Sequence, residues 1–309
     1  MVGPTAGAMA PDAARDAAAL LGEVAKALGL AGSPSPRLDA ELLVSHAFGR
    51  DRTWLHAHPE ARLEGADVAR LRGWVERRAA GEPIAYIRGF KEWLSLRIAT
   101  DRRALIPRPE TELLAEAAID EIAARLVRDD EPIAAWEVGT GSGAVAVALA
   151  LRFRTALALG RLRLGATDIS PEALELASEN LAAHGVAGLV SLGLGDLLEV
   201  TVLPAPQQPD LLVANLPYVP GEEVATGAGS MRFEPALALD GGADGLDLVR
   251  RLLDELPFQL APGGVALLEI GHDQVDAVRV LAEALPIPVR VGSLPDLAGL
   301  QRVVRIERA

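Results

Sequence analysis

The sequence predicts two parts, a small bundle of helices followed by an α/β domain built on an open, mostly parallel β-sheet. The chain has 309 residues, enough for one large domain or two ordinary ones. Half of the residues are hydrophobic and 24% are charged, which is typical of a folded globular protein. From residue 132 onward, strand-like apolar runs alternate with helical patterns, whereas no strand pattern precedes residue 83.

The first part, residues 1–82, is expected to consist of helices joined by short loops. Residues 11–30 carry apolar side chains at helical spacing, and the breaker AGSPSP follows at 31–36. A second helix with Leu38, Leu42, Leu43 and Ala47 on one face comes next, and a third is predicted at about 66–80. Such helices pack as a small bundle.

The second part begins with a predicted connector over residues 83–106, followed by a larger domain at 107–309. Within the connector, apolar and aromatic side chains predict a β-hairpin with Gly89 near its turn. These side chains are Tyr86, Ile87, Phe90, Trp93, Leu96 and Ile98. A helix is predicted at about 110–127.

Seven strands are predicted in the larger domain, with helices between the first five. They lie at 133–138, 162–167, 189–192, 210–215, 264–270, 289–292 and 302–306. Alternation of this kind favours a parallel sheet covered by helices on both faces. Only a short loop containing proline separates the last two strands, so this final pair is expected to be antiparallel.

Composition excludes several classes of site. The chain has no cysteine, which rules out disulfides, zinc sites with thiolate ligands and a cysteine nucleophile. His56 and His58 lack the neighbouring ligands of a metal centre, and no metal is expected.

The first twenty residues lack the pattern of a secretion signal, and the longest apolar stretch stops at Arg152. A cytoplasmic protein with no membrane contact is therefore expected.

The charge is distributed unevenly along the chain. Residues 1–100 carry 13 basic and 12 acidic side chains, a net charge of +1, whereas residues 101–309 carry 17 and 31, a net charge of −14. An acidic domain repels phosphate backbones, and aromatic residues make up only 4% of the chain. Direct binding of nucleic acid is therefore not expected.

The segment WEVGTGSGAVAVALA at 136–150 reads as a strand, a tight glycine turn and a helix. Gly139, Gly141 and Gly143 would let a ligand approach the backbone closely. Because Gly139, Gly141 and Ala144 also satisfy the pattern of dinucleotide-binding loops, the segment predicts a nucleotide-type ligand without distinguishing which one.

Two aspartates end the next two strands. Asp168, in ATDISPEALELASEN, can accept both hydroxyl groups of a ribose, and Ser170 or Pro171 then starts a helix. Asp196, in GDLLE, follows the third strand and could reach an adenine amino group. Solvated or helix-capping aspartates are the alternative interpretation.

The tetrapeptide Asn215-Leu216-Pro217-Tyr218 directly follows the fourth strand. In an open α/β sheet, ligands bind beyond the carboxyl ends of the strands. The Asn215 side-chain oxygen and the Leu216 carbonyl can accept both N–H groups of a planar amide or amino group. Pro217 stiffens the turn, and Tyr218 offers a flat face to a planar group.

In this order, the glycine loop, the strand-end acid and the Asn-x-Pro-Tyr tetrapeptide resemble class I S-adenosylmethionine-dependent methyltransferases that act on a planar nitrogen. Five longer stretches are similar to the HemK/PrmC family, which methylates the glutamine of the Gly-Gly-Gln motif in peptide chain release factors. They lie at 35–50, 81–114, 232–248, 267–274 and 296–306. The resemblance covers nearly the whole chain past residue 30.

The resemblance implies a Rossmann-like methyltransferase sheet preceded by a helical domain that recognises the substrate. It implies S-adenosyl-L-methionine as methyl donor, S-adenosyl-L-homocysteine as product, release factors as partners in translation termination, and a monomer. The implied cofactor-binding residues are Glu137, Gly139, Thr140, Gly141, Ser142, Gly143, Asp168, Asp196, Leu197 and Asn215. The implied catalytic and substrate-binding residues are Asn215, Leu216, Pro217 and Tyr218.

Two positions depart from the family pattern. Glu137 stands where aspartate is common, and Leu216 stands where the tetrapeptide normally has proline. Both departures resemble ribosomal RNA adenine dimethyltransferases, although those enzymes place the glycine loop near the N-terminus and the helical domain after it. Three alternatives therefore stay open: a ribosomal-protein glutamine methyltransferase, a nucleic-acid adenine N-methyltransferase, and a cofactor-binding protein without catalysis.

Overall fold

The computed structural model describes residues 14–129, 131–200, 208–227 and 229–309. By its internal contacts the chain separates into two compact units, one ending at Gly89 and the other beginning at Phe90. Residues 11–13 of the first predicted helix lie outside the described residues. No described helix is both long enough and apolar enough to cross a membrane.

The N-terminal unit is built from helices around one apolar core. Its helices are α1 (Ala17–Leu30), α2 (Pro36–Phe48), α3 (Arg52–Ala57), α4 (Gly65–Ala79) and α5 (Ile84–Arg88). The side chains of Leu20, Leu43, Leu55 and Leu71 are fully buried in this core. The sequence missed α3, a helix of six residues, and the antiparallel pair of two-residue strands β1 (Arg15–Asp16) and β2 (Arg62–Leu63). Elements this short carry too little periodicity to be recognised.

The predicted hairpin is present but shorter, so its predicted start is wrong. Its strands are β3 (Phe90–Trp93) and β4 (Leu96–Ala99), and Leu94 and Ser95 form the turn with positive φ angles of 44° and 60°. Tyr86 and Ile87 lie in α5 instead, and Gly89 ends that helix with a left-handed φ of 76°. A short apolar run is compatible with a strand and with a buried helical turn, so the sequence pattern alone could not distinguish the two.

The C-terminal unit contains eight paired strands in the sheet that the described residues form. They are β5 (Ile133–Val138), β6 (Leu162–Asp168), β7 (Val190–Asp196), β8 (Glu199–Val200), β9 (Leu211–Ala214), β10 (Val265–Glu269), β11 (Val289–Pro295) and β12 (Gln301–Arg308). Their order is β11-β12-β10-β9-β5-β6-β7-β8. The pairs from β10 across to β7 are parallel, whereas β12 runs antiparallel to both β10 and β11. The predicted sheet and its antiparallel final pair are confirmed.

Helices cover both faces of this sheet. They are α6 (Glu110–Arg128), α7 (Ala144–Arg152), α8 (Arg154–Ala158), α9 (Pro171–Ala183), α11 (Asp247–Gln259) and α12 (Val275–Glu283). The short helix α10 (Gly221–Thr226) follows the tetrapeptide and has no buried residue. One core cluster includes Leu114 of α6 and Leu149 of α7, and a second includes Leu252 of α11 and Val278 of α12. Burial on both faces explains why the central strands are continuously apolar instead of alternating.

The sheet topology determines where a ligand can bind. From β5 the chain proceeds outward through β6 and β7, and then returns to the other side of β5 as β9. Neighbouring connections therefore leave the sheet on opposite faces at β5 and β9, and this divergence opens a crevice beyond their carboxyl ends. The glycine loop follows β5 and the tetrapeptide follows β9, so both border this crevice.

Candidate functional site

The glycine loop crosses the end of β5 with three left-handed residues. Gly139, Gly141 and Gly143 have φ angles of 73°, 54° and 77°. The backbone N–H groups of Gly139 and Thr140 both donate to the Thr167 carbonyl at 2.9 Å, which ties the loop to β6. A side chain at any of these glycines would be strained, because L residues rarely adopt positive φ.

The glycines differ in what lies beside them. A Cβ at Gly143 would lie 2.9 Å from the Cβ of Ala177, so this glycine permits close packing of α7 against α9. At Gly139 a Cβ would lie 3.4 Å from Leu216 Cδ2, beside the tetrapeptide. A Cβ at Gly141 would meet only Ala104 Cβ among the described residues, at 3.9 Å. The loop therefore presents a cradle of exposed backbone near Gly141.

Asp168 is held at the end of β6 by backbone donors. Its Oδ2 accepts from Gly141 N at 2.8 Å, and its Oδ1 accepts from Ser170 N at 2.9 Å. Burial raises the pKa of Asp168, and these backbone hydrogen bonds oppose the shift. Each carboxylate oxygen has a second lone pair. The side chain therefore keeps acceptor capacity for a ligand in the crevice.

Glu137 is the acid buried beneath the glycine loop. Only 5% of its surface is exposed, and its Oε2 accepts from Thr140 Oγ1 at 3.0 Å. Burial raises the pKa of Glu137 to about 8, and the nearby charge of Asp168 adds to the shift. At neutral pH this carboxyl group is therefore largely protonated and can donate as well as accept.

The tetrapeptide turns away from β9 with its first side chain oriented by α6. Asn215 Nδ2 donates to Thr111 Oγ1 at 3.0 Å. With its nitrogen engaged there, Asn215 keeps Oδ1 as an acceptor for another partner. Leu216 is buried, with 6% of its surface exposed. The Tyr218 hydroxyl donates to Glu269 Oε1 at 3.4 Å, and burial raises the pKa of Tyr218 to about 12.

A second glycine segment packs against the back of the tetrapeptide. A Cβ at Gly241 would lie 2.7 Å from the Pro217 carbonyl oxygen, and one at Gly245 would lie 2.2 Å from the Tyr218 carbonyl oxygen. Gln274 Nε2 donates to that same Tyr218 carbonyl at 3.1 Å. The backbone of residues 217–218 is therefore confined by contacts that leave no room for a side chain.

A cavity of about 270 Å³ connects the glycine loop with the tetrapeptide. The predicted residues that line it are Glu137, Gly139, Thr140, Gly141, Ser142, Asp168, Asp196, Leu197, Asn215, Leu216 and Pro217. Two predicted residues lie behind the lining that the described part of the chain provides, namely Gly143 and Tyr218. Nowhere in the described residues do three or more His, Asp or Glu side chains form a group able to hold a metal ion.

Asp196 borders the cavity and forms an ion pair there. Its Oδ2 accepts from Arg251 Nη2 at 2.8 Å, and both side chains line the cavity. The sequence analysis missed Arg251, since no motif marks an arginine on the exposed side of a helix. Next to it, Leu197 has a positive φ of 52° and is buried. One carboxylate oxygen of Asp196 remains for a ligand.

A buried ion pair joins two loops at the cavity. The Glu234 side chain is fully buried and accepts from Arg108 Nη2 at 2.7 Å and from Ile106 N at 3.1 Å. Arg108 lines the cavity, and so does Pro235 immediately after Glu234. The Arg108 side chain therefore belongs to the site. Thr111 also lines the cavity, and no local pattern in the sequence marks it as a site residue.

Comparison with known proteins identifies relatives over most of the chain. Residues 19–89 match the family model described as PrmC N-terminal domain. The chain is 40% identical over 288 residues to the release factor glutamine methyltransferase of Moorella thermoacetica, covering 91% of this chain and 95% of the relative. It is 39% identical over 298 residues to the release factor glutamine methyltransferase of Deinococcus radiodurans, covering 94% and 98%.

Among solved structures, the ribosomal protein L11 methylase of Lactobacillus delbrueckii subsp. bulgaricus aligns with a TM-score of 0.45 at 22% identity. The alignment covers 68% of this chain and 84% of that one. The sequence relatives are far more similar and extend over both units. On their evidence, the chain belongs to the release factor glutamine methyltransferase family.

Proposed function

We propose that this chain transfers a methyl group from S-adenosyl-L-methionine to the side-chain amide nitrogen of the glutamine in the Gly-Gly-Gln motif of peptide chain release factors, which modulates translation termination. The observation that carries the proposal is the hydrogen bond from Asn215 Nδ2 to Thr111 Oγ1, at 3.0 Å. It leaves Asn215 Oδ1 beside the Leu216 carbonyl as the acceptor pair that a primary amide requires.

The residues around the cavity fit S-adenosylmethionine. The left-handed turn at Gly139 and Gly141 exposes backbone to the methionine end, and Asp168 keeps acceptor capacity for the ribose hydroxyls. Asp196 and Leu197 border the remaining end, where the adenine would lie. When bound, the cofactor supplies a methyl group already activated by a sulfonium.

The tetrapeptide would contribute orientation and electrostatics. An amide nitrogen is a poor nucleophile because its lone pair is delocalised into the carbonyl group. Asn215 Oδ1 and the Leu216 carbonyl would accept its two N–H bonds, aim the nitrogen and stabilise the positive charge that develops on it. In the reaction the amide nitrogen would receive the methyl group and lose one proton to water, and S-adenosyl-L-homocysteine would be the product.

Leu216 is compatible with this role, although the family pattern has proline at this position. The proposed contact uses its backbone carbonyl, which both residues possess. The side chain packs beside Gly139 and is buried. With leucine in place of proline the unfolded chain has more accessible conformations, which lowers the free energy of unfolding by about 0.4–1 kcal/mol. Packing against the loop and the confinement of residues 217–218 would offset that loss.

The N-terminal helical unit would supply recognition of the release factor. This role is supported by the match of residues 19–89 to the PrmC N-terminal domain. We further propose that the enzyme acts as a monomer in the cytoplasm and does not bind nucleic acid directly. The net charge of −14 on residues 101–309 supports the last point.

The deciding experiment measures transfer of labelled methyl from S-adenosylmethionine to purified release factor. Controls are a release factor with Gln→Ala in the Gly-Gly-Gln motif, a mixture of ribosomal proteins, and ribosomal RNA. We expect label only on the unaltered release factor. Label on ribosomal protein or RNA with none on the release factor would contradict the proposal.

A further inference from the structure

A buried carboxyl group lies behind the tetrapeptide and has no role in the function proposed above. Glu269 is the last residue of β10, and only 2% of its surface is exposed. Its Oε1 accepts from the Tyr218 hydroxyl at 3.4 Å. Its Oε2 is also buried and makes no hydrogen bond with any described residue. A buried carboxyl group with spare acceptor capacity is costly and calls for an explanation.

Thr111 connects this carboxyl group with Asn215. It lies in the first turn of α6, and its oxygen accepts from Asn215 Nδ2 at 3.0 Å. Helix α6 packs against β10, and hydrogen bonding by the Thr111 side chain lowers the pKa of the Glu269 carboxyl group. Thus the two polar side chains of the tetrapeptide, Asn215 and Tyr218, both lead to Glu269.

We propose that Glu269 is a positioning residue that orients Asn215 through Thr111 and Tyr218 through its phenol. The inference rests on the proposed function, in which Asn215 Oδ1 accepts from the substrate amide. An ionised carboxylate can only accept hydrogen bonds, so it directs the Thr111 hydroxyl hydrogen toward itself. The Thr111 oxygen can then only accept from Asn215.

The consequence is a single orientation of the Asn215 amide. Its nitrogen must face Thr111, and its oxygen must face the cavity. In the flipped orientation the Asn215 NH₂ group would face the NH₂ group of the substrate, and two donors cannot bond. A neutral group at position 269 could donate to Thr111 as well as accept from it, which would permit both orientations.

The protonation of Glu269 should therefore matter. Burial raises its pKa to about 7, hydrogen bonds from Thr111 and Tyr218 lower it, the charge of Glu110 on α6 raises it, and that of Arg302 on β12 lowers it. Above this value the carboxylate accepts, and below it the acid can donate. We expect kcat of the native enzyme to rise as the pH increases through about 7.

The central test is Glu269→Gln, which preserves size and removes the charge. We expect kcat at pH 8 to fall on the order of tenfold, since misorientation of a reacting group costs this much or more. The dissociation constant for S-adenosylhomocysteine should stay within about twofold, because Glu269 is not among the residues that line the cavity. The rise of kcat near pH 7 should disappear.

A second pair of variants acts on Thr111. Thr111→Val is nearly isosteric but has no hydroxyl, and Thr111→Ser retains the hydroxyl. We expect Thr111→Val to lose kcat as Glu269→Gln does, and Thr111→Ser to restore most of it. Tyr218→Phe should shift the rise of kcat near pH 7 (the acid limb of the pH profile) to higher pH, because it removes a donor that stabilises the Glu269 carboxylate. Glu121→Gln is the matched control on α6, since Glu121 pairs with Arg125 and Arg305 and should leave kcat unchanged.

The outcomes separate this inference from the proposed function. If Glu269→Gln keeps the native kcat and its acid limb while Asn215→Ala is inactive, only the role of Glu269 is overturned. If Asn215→Ala stays fully active, the proposed function itself fails. Should Glu269→Gln no longer bind S-adenosylhomocysteine, the Thr111 variants decide, and equal kcat for Val and Ser would overturn the inference.

Discussion

The two ends of the cavity are held in different ways. At the cofactor end, the glycine loop is shaped by positive φ angles and by backbone hydrogen bonds to the neighbouring strand β6. At the substrate end, the tetrapeptide is held by side chains from three separate elements, namely Thr111 of α6, Glu269 of β10 and Gln274. A backbone-built site is visible in local sequence, whereas a site built from distant side chains depends on the whole fold.

The largest effect should come from removing the proposed amide acceptor at the substrate end. We expect Asn215→Ala to lower kcat by about 10²–10³-fold, comparable with the loss of one electrostatic contact in other enzymes. Binding of S-adenosylhomocysteine, measured by calorimetry, should change little. Gln208→Ala is a suitable control, because that exposed amide donates to the Phe258 carbonyl. Native methyl transfer by Asn215→Ala would show that the tetrapeptide does not grip the substrate.

A methyl group behind the tetrapeptide should disturb the same end without replacing any of the side chains that hold it. A Cβ at Gly245 would lie 2.2 Å from the Tyr218 carbonyl oxygen, so the backbone of that residue must shift. We expect Gly245→Ala to lower kcat on the order of tenfold or more, because small displacements of positioning groups are costly.

The matched control for this variant is Gly299→Ala. Gly299 has a similar positive φ of 81°, but nothing lies within 4 Å of its Cβ position. Both variants carry the same backbone strain, and only one carries the clash. Equal methyl transfer by the two variants would mean that contact with Tyr218 is irrelevant.

The corresponding change at the cofactor end is Gly143→Ala. Its Cβ would lie 2.9 Å from Ala177 Cβ, with a φ of 77°. We expect a loss of unfolding free energy of about 1–3 kcal/mol from strain and overpacking. Affinity for S-adenosylhomocysteine should fall as the loop moves. Gly160→Ala, at a φ of 70° in open space, is the control and should lose only the strain part in urea unfolding.

A separate effect on the glycine-loop end is a pH dependence of stability from Glu137. Because its pKa is raised from 4.5 to about 8, the folded state holds the proton more tightly than the unfolded state. This contribution to stability is complete below pH 4.5 and is lost as the pH rises through 8. Glu137→Gln lacks the ionisation, so its Tm relative to the native chain should increase between pH 5 and pH 8.5. Scanning fluorimetry at both values tests this, and a constant difference in Tm would contradict it.

Local sequence was sufficient wherever a pattern repeats or a residue is uniquely suited to its backbone. The five parallel strands β5, β6, β7, β9 and β10 were predicted correctly because parallel strands that helices cover on both faces are continuously apolar. The glycine turn after β5 was found because few other residues adopt its φ angles. The hairpin was misplaced at Tyr86 and Ile87, where an apolar run of a few residues has no preferred period.

The partners of the site residues could not be found in this way. Thr111 and Asn215 are 104 positions apart, and Arg108 and Glu234 are 126 positions apart. No local pattern links such positions. Likewise, nothing near Asp196 in the sequence indicates that Arg251 pairs with it. The Thr111–Asn215 contact exists because α6 packs across the neighbouring strands β9 and β10.

The sequence by itself determined the fold class, the glycine loop and the acceptor tetrapeptide, because each depends on residues close together in the chain. Tertiary structure alone decided which way the Asn215 amide faces, which side chains brace it, and that Tyr218 and Gly143 stand behind the cavity lining. The physical reason is the separation along the chain over which each kind of interaction acts. Backbone preferences act over a few residues, whereas side-chain hydrogen bonds and packing join whatever the fold brings within a few ångströms.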